Sequence, residues 1–405
     1  MNTKNIESAY NIARERYAEY GIDTDKALKV LGDVSISMHC WQADNVQGFE
    51  EAGELSASGL AVTGSRTGMP TNGDEMRRDM ERTFKLVPGR HRVSLHSIYA
   101  ETNGKSVSRD ELTADDFLAW IAWAKENKLG LDYNGTFFAH PLAADGNTLS
   151  HADEGIRNFW IRHAKGCREI GEAFGKELGT PAVVNLWIPD GYKDTPADRL
   201  APRKRLKSAL DEIFSAKKDK KYLLDAVESK LFGIGSESYV VGSHEFYMGY
   251  AMKNDLLLCL DSGHFHPTEG IADKISSLLL YIDELLLHVS RGVRWDSDHI
   301  VILNDELKMI AEELIAADAL SRVHIGLDYF DGGIDHIVAW AVGMRAMQQA
   351  LLIAILTPRE RMQKAELAGD FAKRLVYMEE NKVLPYSAVW DYFCYSNDVS
   401  LTIEK

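Results

Sequence analysis

The chain repeats one pattern, in which a short apolar run of strand length ends in polar residues and is followed by a stretch with helical periodicity. The run Leu285–His299 is typical, because LLLHV is followed directly by the mostly polar SRGVRWDSDH. Eight such runs are present along the sequence. They are Val34–Trp41, His91–Glu101, Leu129–Phe138, Thr180–Asp190, Leu223–Gly233, Leu256–Glu269, Leu285–His299 and Arg322–Asp331.

Strands that alternate with helices predict parallel βαβ units, and eight of them predict a closed barrel. Several runs, such as VVNLWI at 183–188, are apolar on both faces, which suits strands buried on both sides. An open doubly wound sheet is the alternative. No GxGxxG or P-loop motif follows an early run, which counts against the nucleotide-binding forms of that sheet. We therefore predict an α/β fold, a (β/α)8 TIM barrel.

Helical segments extend the pattern at both ends of the chain. Apolar residues recur at helical spacing within residues 4–31, and helical patterns cover Ile334–Leu356 and Arg359–Asn381. The apolar face of the tail, which includes Trp340 and Met344, either covers the barrel or meets another subunit. We predict three parts, namely an N-terminal helical extension (1–33), a barrel catalytic domain (34–345) and a C-terminal helical extension (346–405).

Composition narrows the range of partners. The 405 residues include 46 basic and 61 acidic ones, and the formal net charge is −15. Because no long basic block is present, we expect no nucleic acid and no membrane partner. The four cysteines lie far apart without a CxxC motif, which argues against a zinc ribbon or a disulfide scaffold. The N-terminus is charged, unlike a signal peptide, and no apolar run approaches the ~20 residues of a membrane span, so we predict a cytoplasmic protein.

Seven carboxylate and imidazole side chains follow two consecutive apolar runs in the second half of the chain. Hard carboxylate oxygens mixed with imidazoles at strand ends suit a divalent cation such as Mn²⁺, Mg²⁺, Co²⁺ or Zn²⁺. A single residue of this kind would be an ordinary polar strand end, but seven within two units favour metal binding. The seven residues are Asp261, His264, His266, His288, Asp296, Asp298 and His299.

The carboxyl ends of barrel strands converge on one mouth, where reactive groups lie. His264 lies three residues beyond Asp261 and can face outward beside Asp296 and Asp298, forming a site with room for water or substrate oxygens. Asp261 could bridge this site and a more enclosed one. The enclosed site takes one residue from each of the last four runs: Glu228, Asp261, His288 and Asp328.

Two cations on adjacent substrate oxygens polarise a carbonyl and lower the pKa of a neighbouring hydroxyl. This chemistry suits aldose–ketose interconversion, and it equally suits metal-assisted hydrolysis or phosphodiester cleavage. A two-metal endonuclease on a similar barrel is therefore a rival, which the acidic net charge opposes. A sugar-binding protein without catalytic activity would need the aromatic residues of the first four runs but not seven ligands.

At these residues the chain closely resembles the L-rhamnose isomerase family, whose members are related in mechanism to the xylose isomerases. The resemblance spans nearly the whole chain, and motifs of this length are highly specific. The matching motifs are MHCWQ (Met38–Gln42), LHSIYAE (Leu95–Glu101), HPLAADGNTLSHAD (His140–Asp153), NLWIPDG (Asn185–Gly191), AVESKLFGIG (Ala226–Gly235), LCLDSGHFHPTE (Leu258–Glu269), LLHVSRGVRWDSDH (Leu286–His299) and GLDYF (Gly326–Phe330).

The resemblance implies a structural metal on the four residues of the enclosed site and a catalytic metal on His264, Asp296 and Asp298. Mn²⁺ is the favoured ion, and this set of ligands also tolerates Zn²⁺, Co²⁺ or Mg²⁺. The resemblance further implies that Lys230 lies near the reacting oxygens and that His96 lies near the ring oxygen of the sugar. A homotetramer is the family precedent, which we adopt as an expectation.

The implied reaction converts L-rhamnose to L-rhamnulose, and Trp187 and Phe138 are the implied walls around the sugar. Which of Phe137 and Phe138 points inward stays open at this point. The preferred route is a hydride shift from C2 to C1, with two metals on O1 and O2 and a metal-bound hydroxide that moves the proton between the oxygens. Asp328 or Asp298 could assist the proton transfer. A cis-enediol route needs a side-chain base, which the sequence neither identifies nor excludes.

Overall fold

The structure, a computed structural model, describes residues 3–50, 67–231, 238–266, 268–293 and 298–403. Within these residues eight parallel strands close a barrel, which confirms the predicted (β/α)8 fold. The barrel order is β1-β10-β9-β8-β6-β4-β3-β2, and β5 and β7 form a separate antiparallel pair. The strands are β1 (Ser35–His39), β2 (Arg90–His96), β3 (Gly130–Asn134), β4 (Ala182–Trp187), β5 (Gly191–Tyr192), β6 (Leu223–Glu228), β7 (Tyr239–Val240), β8 (Leu257–Asp261), β9 (Leu285–Val289) and β10 (Val323–Leu327).

Alternate residues of each strand face opposite sides of the barrel wall, because side chains in a strand have a period of two. On β8, Leu258 and Leu260 belong to the large core between strands and helices, whereas Leu257 and Cys259 belong to a small cluster inside the barrel. Asp261, two residues after Cys259, therefore faces the barrel axis. The inner apolar cluster comprises Val183, Leu224, Ala226, Leu257, Cys259 and Leu286.

Helices cover the outside of the barrel and extend it at both ends. Side-chain caps define several helix starts; Asp153, for example, accepts a hydrogen bond from the Ile156 amide. The helices are α1 (Thr3–Ala18), α2 (Thr24–Asp33), α3 (Gly73–Phe84), α4 (Leu118–Glu126), α5 (Glu154–Leu178), α6 (Leu200–Ile213), α7 (His244–Asn254), α8 (Ala272–Leu278), α9 (Asp305–Ala316), α10 (His336–Ile355), α11 (Arg359–Leu367), α12 (Phe371–Asn381) and α13 (Tyr386–Ser396).

The prediction of one continuous helix over Arg359–Asn381 is wrong. Gly369 has a φ of +74°, which ends α11, and the Asp370 side chain accepts a hydrogen bond from the Lys373 amide to start α12. A left-handed glycine followed by an acidic cap is a common signal for a break between two helices. The apolar spacing continues through this break, so helical periodicity alone does not reveal it.

Helix α10 carries the apolar face of the tail. The sequence did not decide whether this face covers the barrel or contacts another subunit. Trp340, Met344, Met347 and Leu351 are fully buried, and the Trp340 indole donates a 2.8 Å hydrogen bond to the carbonyl of His39 on β1. Among the described residues, α10 is also the helix that is long and apolar enough to cross a membrane, with a mean hydropathy of 1.4. Because 78% of that apolar window is buried within the fold, α10 is the core helix that covers the barrel.

The inner wall of the barrel opposite the apolar cluster carries a buried ion pair. The Arg92 guanidinium donates to both carboxylate oxygens of Asp132 at 2.9 and 2.7 Å, and Ser37 donates to the same carboxylate. Burial raises the pKa of Asp132, but Arg92 outweighs this effect and holds that pKa below its ordinary value. The ionised carboxylate therefore stabilises the fold above the unfolded-state pKa, and its contribution is lost as the pH falls through the lower folded-state pKa.

We expect Asp132→Asn to lower the free energy of unfolding at pH 7 by about 3–5 kcal/mol, because it leaves a buried guanidinium without its counter-charge. Urea unfolding of both proteins checks this, and the difference should shrink as the pH falls below about 4, because the carboxyl becomes neutral there in the unfolded chain and at lower pH in the folded chain. Glu177→Gln is the matched control, since the Lys125–Glu177 pair is 60% and 53% exposed and should contribute about 0–1 kcal/mol. Equal effects of the two substitutions would contradict the prediction.

Candidate metal centre

Four ligand-type side chains meet at the carboxyl-terminal mouth of the barrel. Glu228 and Asp261 are the last residues of β6 and β8, His288 is the penultimate residue of β9, and Asp328 directly follows β10. The strand register places Asp261 beside His288, so neighbouring strands deliver their side chains at the same height. The side chains of Glu228, Asp261 and His288 are 2%, 1% and 6% exposed, which makes this an enclosed polar cluster.

The distances within this cluster are those of groups that could share a cation. Nδ1 of His288 lies 3.2 Å from Oε2 of Glu228 and 3.3 Å from Oδ2 of Asp328. Nδ1 of His264 lies 2.9 Å from Oε1 of Glu228, and its Nε2 lies 3.9 Å from Oδ2 of Asp261. Three overlapping groups have ligand atoms within 4.8 Å of one another: Glu228–Asp261–His264, Asp261–His288–Asp328 and Glu228–Cys259–His288.

Two observations show that these residues fit a divalent cation. Nδ1 of His288 and Oδ2 of Asp261 are buried and have no well-formed hydrogen bond to any residue that the structure describes, which is costly unless something else satisfies them. Burial, together with the charges of Glu228 and Asp328, raises the pKa of Asp261 to about 7. A bound cation would offset the crowded negative charge and give both of these buried atoms a partner, with His288 releasing its proton.

Opposed electrostatic effects act on the other members of the cluster. Burial would raise the pKa of Glu228, but His288 and His264 lower it well below its ordinary value. Burial would lower the pKa of His288, but Cys259 and Glu228 outweigh that effect and raise it well above the ordinary value. The side chains therefore hold one another in charged states that a cation would reorganise.

The predicted second site is only partly described. Asp296 lies outside the described residues, whereas Asp298 lines the same cavity as Glu228, His264 and Asp328. His264 does not face outward as expected. Its amide donates to the Asp261 carbonyl, and this turn brings the ring, which is 7% exposed, back against Glu228.

Aromatic side chains from the first four strands form the opposite wall of the cavity. Phe138 lies 5.6 Å from the His96 ring and 5.8 Å from the Trp187 ring, measured between centroids. Phe137 instead packs against Trp160 and His163 on the outside of the barrel. Phe138 is therefore the member of the pair that points inward.

Two polar groups lie between the aromatic wall and the acidic cluster. The Lys230 ammonium group lies 4.7 Å above the centre of the Trp187 ring, and Lys230 is only 8% exposed. Nδ1 of His96 lies 3.0 Å from the Thr136 hydroxyl, and burial lowers the pKa of His96 to about 3. His96 is thus a neutral imidazole whose orientation is set by Thr136.

Sequence reasoning missed two supporting residues of this cluster. The Trp41 indole donates a 2.9 Å hydrogen bond to Oδ1 of Asp328, and the Asn185 amide donates to Oε2 of Glu228 and to Asn134. Such outer partners orient ligands to a cation. The one available signal was Asn185, a polar residue in the middle of the apolar VVNLWI run.

Three further histidines, among them the candidate ligands His266 and His299, lie apart from the cluster or make no contact with it through their rings. His39 is fully buried and lies against Trp41 and Tyr329, and within the described residues neither ring nitrogen has a well-formed hydrogen bond. Burial lowers the pKa of His39 to about 4. His266 is exposed, and its Nδ1 lies 2.7 Å from the Thr268 hydroxyl. His299 is half-buried and pairs through its backbone with Arg291. Neither His266 nor His299 lines the cavity around the cluster.

The barrel and its mouth define the class of protein, a (β/α)8-barrel protein with a candidate metal centre. Solved structures of similar fold include D-allulose 3-epimerase from Methylomonas sp., with a TM-score of 0.51 and 12% identity over 78% of this chain and 98% of that one. An L-ribulose 3-epimerase has a TM-score of 0.51 and 14% identity over 82% of this chain and 97% of that one. At these identities the likeness shows the fold alone.

The family model for L-rhamnose isomerase (RhaA) matches residues 4–405. L-rhamnose isomerases of Rhodopirellula baltica and Escherichia coli are 54% and 53% identical to this protein, over 98% of this chain and 92% and 94% of theirs. The enzyme of Yersinia pseudotuberculosis is 54% identical over 98% of this chain and 95% of its own. The chain belongs to the L-rhamnose isomerase family, which confirms the resemblance seen in the motifs and makes the protein an isomerase.

Proposed function

We propose that the protein interconverts L-rhamnose and L-rhamnulose with two divalent cations, Mn²⁺ foremost, as cofactors. Membership of the family supports the choice of sugar. The observation that carries the chemistry is the buried cluster of Glu228, Asp261, His288 and Asp328 at the mouth of the barrel. Within the described residues, Oδ2 of Asp261 and Nδ1 of His288 have no well-formed hydrogen bond. The aromatic wall across the cavity suits a small polyhydroxylated ligand.

In this proposal the four clustered residues hold the structural cation. His264 and Asp298 hold the catalytic cation together with Asp296, which lies outside the described residues. When bound, the cations supply the Lewis acidity that polarises O1 and O2 of the sugar. Zn²⁺, Co²⁺ and Mg²⁺ also bind to similar mixtures of oxygen and nitrogen ligands. The choice of Mn²⁺ as the physiological ion is therefore a separate and more specific proposal than the presence of two cations.

The side chains around the sugar have distinct tasks. A hydride moves from C2 to C1, O2 loses its proton and O1 gains one, so atoms and charge balance. A water molecule held by Asp298 or Asp328 carries that proton between the two oxygens. The Lys230 ammonium group stabilises the oxygen on which negative charge develops, because preorganised donors act strongly in an enclosed site.

Binding and orientation of the sugar fall to the opposite wall. With Nδ1 of His96 engaged by Thr136, Nε2 is the ring nitrogen that can hydrogen-bond to the ring oxygen of the sugar. Trp187 and Phe138 pack against the C–H faces of the sugar and exclude water.

The net charge of −15 and this aromatic wall favour a sugar over the phosphate backbone that an endonuclease would need.

We expect the protein stripped of cations by a chelator to form no ketose from L-rhamnose, and activity to return when Mn²⁺ is added back. The cations supply the charge stabilisation that the side chains alone cannot, so the loss should exceed about a hundredfold. The assay adds Mn²⁺, Co²⁺, Zn²⁺ and Mg²⁺ separately and screens several aldoses, including L-mannose, L-lyxose and D-allose. Full activity in the presence of excess chelator would contradict the proposal, and inertness towards sugars combined with nicking of DNA would favour the nuclease.

We also propose that the protein is a homotetramer, and α12 supports a contact between copies. No residue of α12 is buried, and Phe371, Leu375 and Val376 on this helix are 59%, 55% and 51% exposed. An apolar helix face of this kind is typical of an interface. Light scattering after gel filtration should give four times the chain mass of 45.4 kDa. A lower mass for Leu375→Asp than for the matched exposed change Lys364→Asp would place α12 in the interface, and a monomeric wild type would contradict the tetramer.

The division into residues 1–33, 34–345 and 346–405 stays a prediction, as does the cytoplasmic location. Helix α10 runs without a break across residue 345, so the proposed third part begins within a helix that covers the barrel.

A further inference from the structure

Cys259 lies directly beneath the proposed metal centre. It precedes Asp261 by two residues on β8 and therefore faces the same inner side of the barrel, and the strand register pairs it with Glu228. It is 1% exposed, and its sulfur lies within 4.8 Å of ligand atoms of both Glu228 and His288. The sequence alone suggests only a reduced core cysteine in an apolar run.

Cys167 and Cys394, both within the described residues, have different surroundings. Cys167 contacts Ser97 at 3.8 Å and His163 at 3.7 Å, and both Nε2 and Nδ1 of that histidine are engaged by backbone groups. Cys394 accepts from Arg345 at 3.6 Å. In the described part of the chain, Cys259 is the cysteine that belongs to a group of three ligand-type side chains.

A second observation at the same place points to a ligand. Nδ1 of His288 is buried and makes no well-formed hydrogen bond to the part of the chain that the structure describes, and the same holds for Oδ2 of Asp261 in the layer above. A buried imidazole, a carboxylate and a sulfur that converge in this way form the donor set of a borderline or soft cation. Mn²⁺ and Mg²⁺ prefer oxygen ligands and have little affinity for sulfur.

We propose that Glu228, Cys259 and His288 form a soft cation subsite at the inner end of the metal centre, which takes a thiophilic divalent cation such as Cd²⁺. On binding, the S–H bond of Cys259 breaks and a metal–sulfur bond forms, His288 binds through a ring nitrogen that has released its proton, and the released protons pass to solvent. Cations that prefer oxygen, such as Mn²⁺, bind sulfur weakly and leave the thiol protonated. Only a cation that binds sulfur strongly displaces that proton.

The subsite has a consequence for the enclosed site, and this consequence rests on the proposed function. Glu228 and His288 are common to the soft subsite and to the proposed structural site, so one cation excludes the other. A thiophilic cation bound on Cys259 lies deeper in the barrel than one bound between Asp261 and Asp328. It therefore competes with Mn²⁺ and inhibits the enzyme.

The test is titration of the chelator-treated full-length protein with Cd²⁺ alone, followed by ultraviolet absorption and calorimetry. We expect the charge-transfer band of a cadmium–thiolate bond, saturating at one equivalent per chain. Cys259→Ala should abolish this band and weaken Cd²⁺ binding about tenfold or more while changing Mn²⁺ affinity less than about threefold, because Mn²⁺ does not use the sulfur. Cys167→Ala is the matched control and should retain the band.

Three outcomes would overturn the subsite: calorimetric Cd²⁺ binding without a thiolate band, a band that survives in Cys259→Ala, or a band that disappears in Cys167→Ala. Circular dichroism and Mn²⁺ affinity of Cys259→Ala show that the variant folds, and Cys259→Ser provides a second variant of nearly equal volume. Sugar isomerisation is assayed separately with Mn²⁺. Absence of that activity would overturn the proposed function without altering the thiolate band, so the two failures are distinguishable.

Discussion

Asp261→Asn is expected to reduce isomerisation of L-rhamnose by about a thousandfold or more, since a Lewis-acid cation contributes several kcal/mol to the transition state. Asp261 belongs to two of the three candidate ligand groups, so its loss affects both proposed cation sites. Its Oδ1 accepts a 2.6 Å hydrogen bond from the Gly263 amide, which the Oδ1 of asparagine can still accept. The substitution therefore removes a charge and a ligand without removing the bond that shapes the strand end.

Although Asp261→Asn should lower activity, we expect it not to lower the stability of the fold in the absence of a cation. Burial raises the pKa of Asp261 to about 7, above its unfolded-state value, so the ionised carboxylate destabilises the fold as the pH rises through this range. Without added cation at pH 8, Asp261→Asn should thus be at least as stable as wild type. Added Mn²⁺ should raise the melting temperature of wild type, because it binds the folded state, but not that of the variant.

Thermal unfolding with and without Mn²⁺ checks this pair of expectations. Asp305→Asn is the control, because Asp305 has a 96% exposed side chain at the start of α9 and should leave both activity and the response to Mn²⁺ unchanged. A variant at Asp261 that retains wild-type turnover would remove this residue from the proposed metal centre. A variant that unfolds without cation would show that the carboxylate has a structural role instead.

The barrel could be predicted from sequence because its signal is local. Each of the eight apolar runs overlaps a barrel strand, and the polar residue that ends the apolar run lies at the mouth, as with Asp261 and His288. Strand alternation also places both side chains on the inner face once the barrel closes. Long motifs then made the family recognisable, and the comparison with known proteins confirmed it.

The remaining features of the site depend on contacts that form only when the barrel closes, so the sequence did not predict them. Trp41 reaches Asp328 across the junction of the first and last strands, a contact between residues 287 positions apart that no local pattern indicates. In the sequence, Cys259 resembles an ordinary core residue, and only the strand register shows that it lies beside Glu228. The inward direction of His264 comes from a turn after β8, and turns of this kind are poorly defined by spacing alone.

Lys230→Met is expected to reduce kcat by about a hundredfold to a thousandfold, as removal of one preorganised donor to a developing negative charge does in other enzymes. KM for L-rhamnose should change little, because the charge develops only in the transition state. Methionine has a similar length and can keep the contact with the Trp187 ring, so the substitution isolates the ammonium group. Steady-state kinetics with saturating Mn²⁺ measures both constants.

The competing role for Lys230 is a buried counter-ion for the acidic cluster that begins at Glu228, and Mn²⁺ affinity separates the two roles. A donor to the sugar is not a cation ligand, so Lys230→Met should bind Mn²⁺ at least as tightly as wild type, since one positive charge near the site is gone. Lys230→Arg keeps the charge and should recover part of kcat, although its planar group cannot replace the ammonium geometry. A Lys230→Met variant with kcat within about threefold of wild type but a lower melting temperature would assign the lysine to the fold, because a donor to a developing charge affects kcat first.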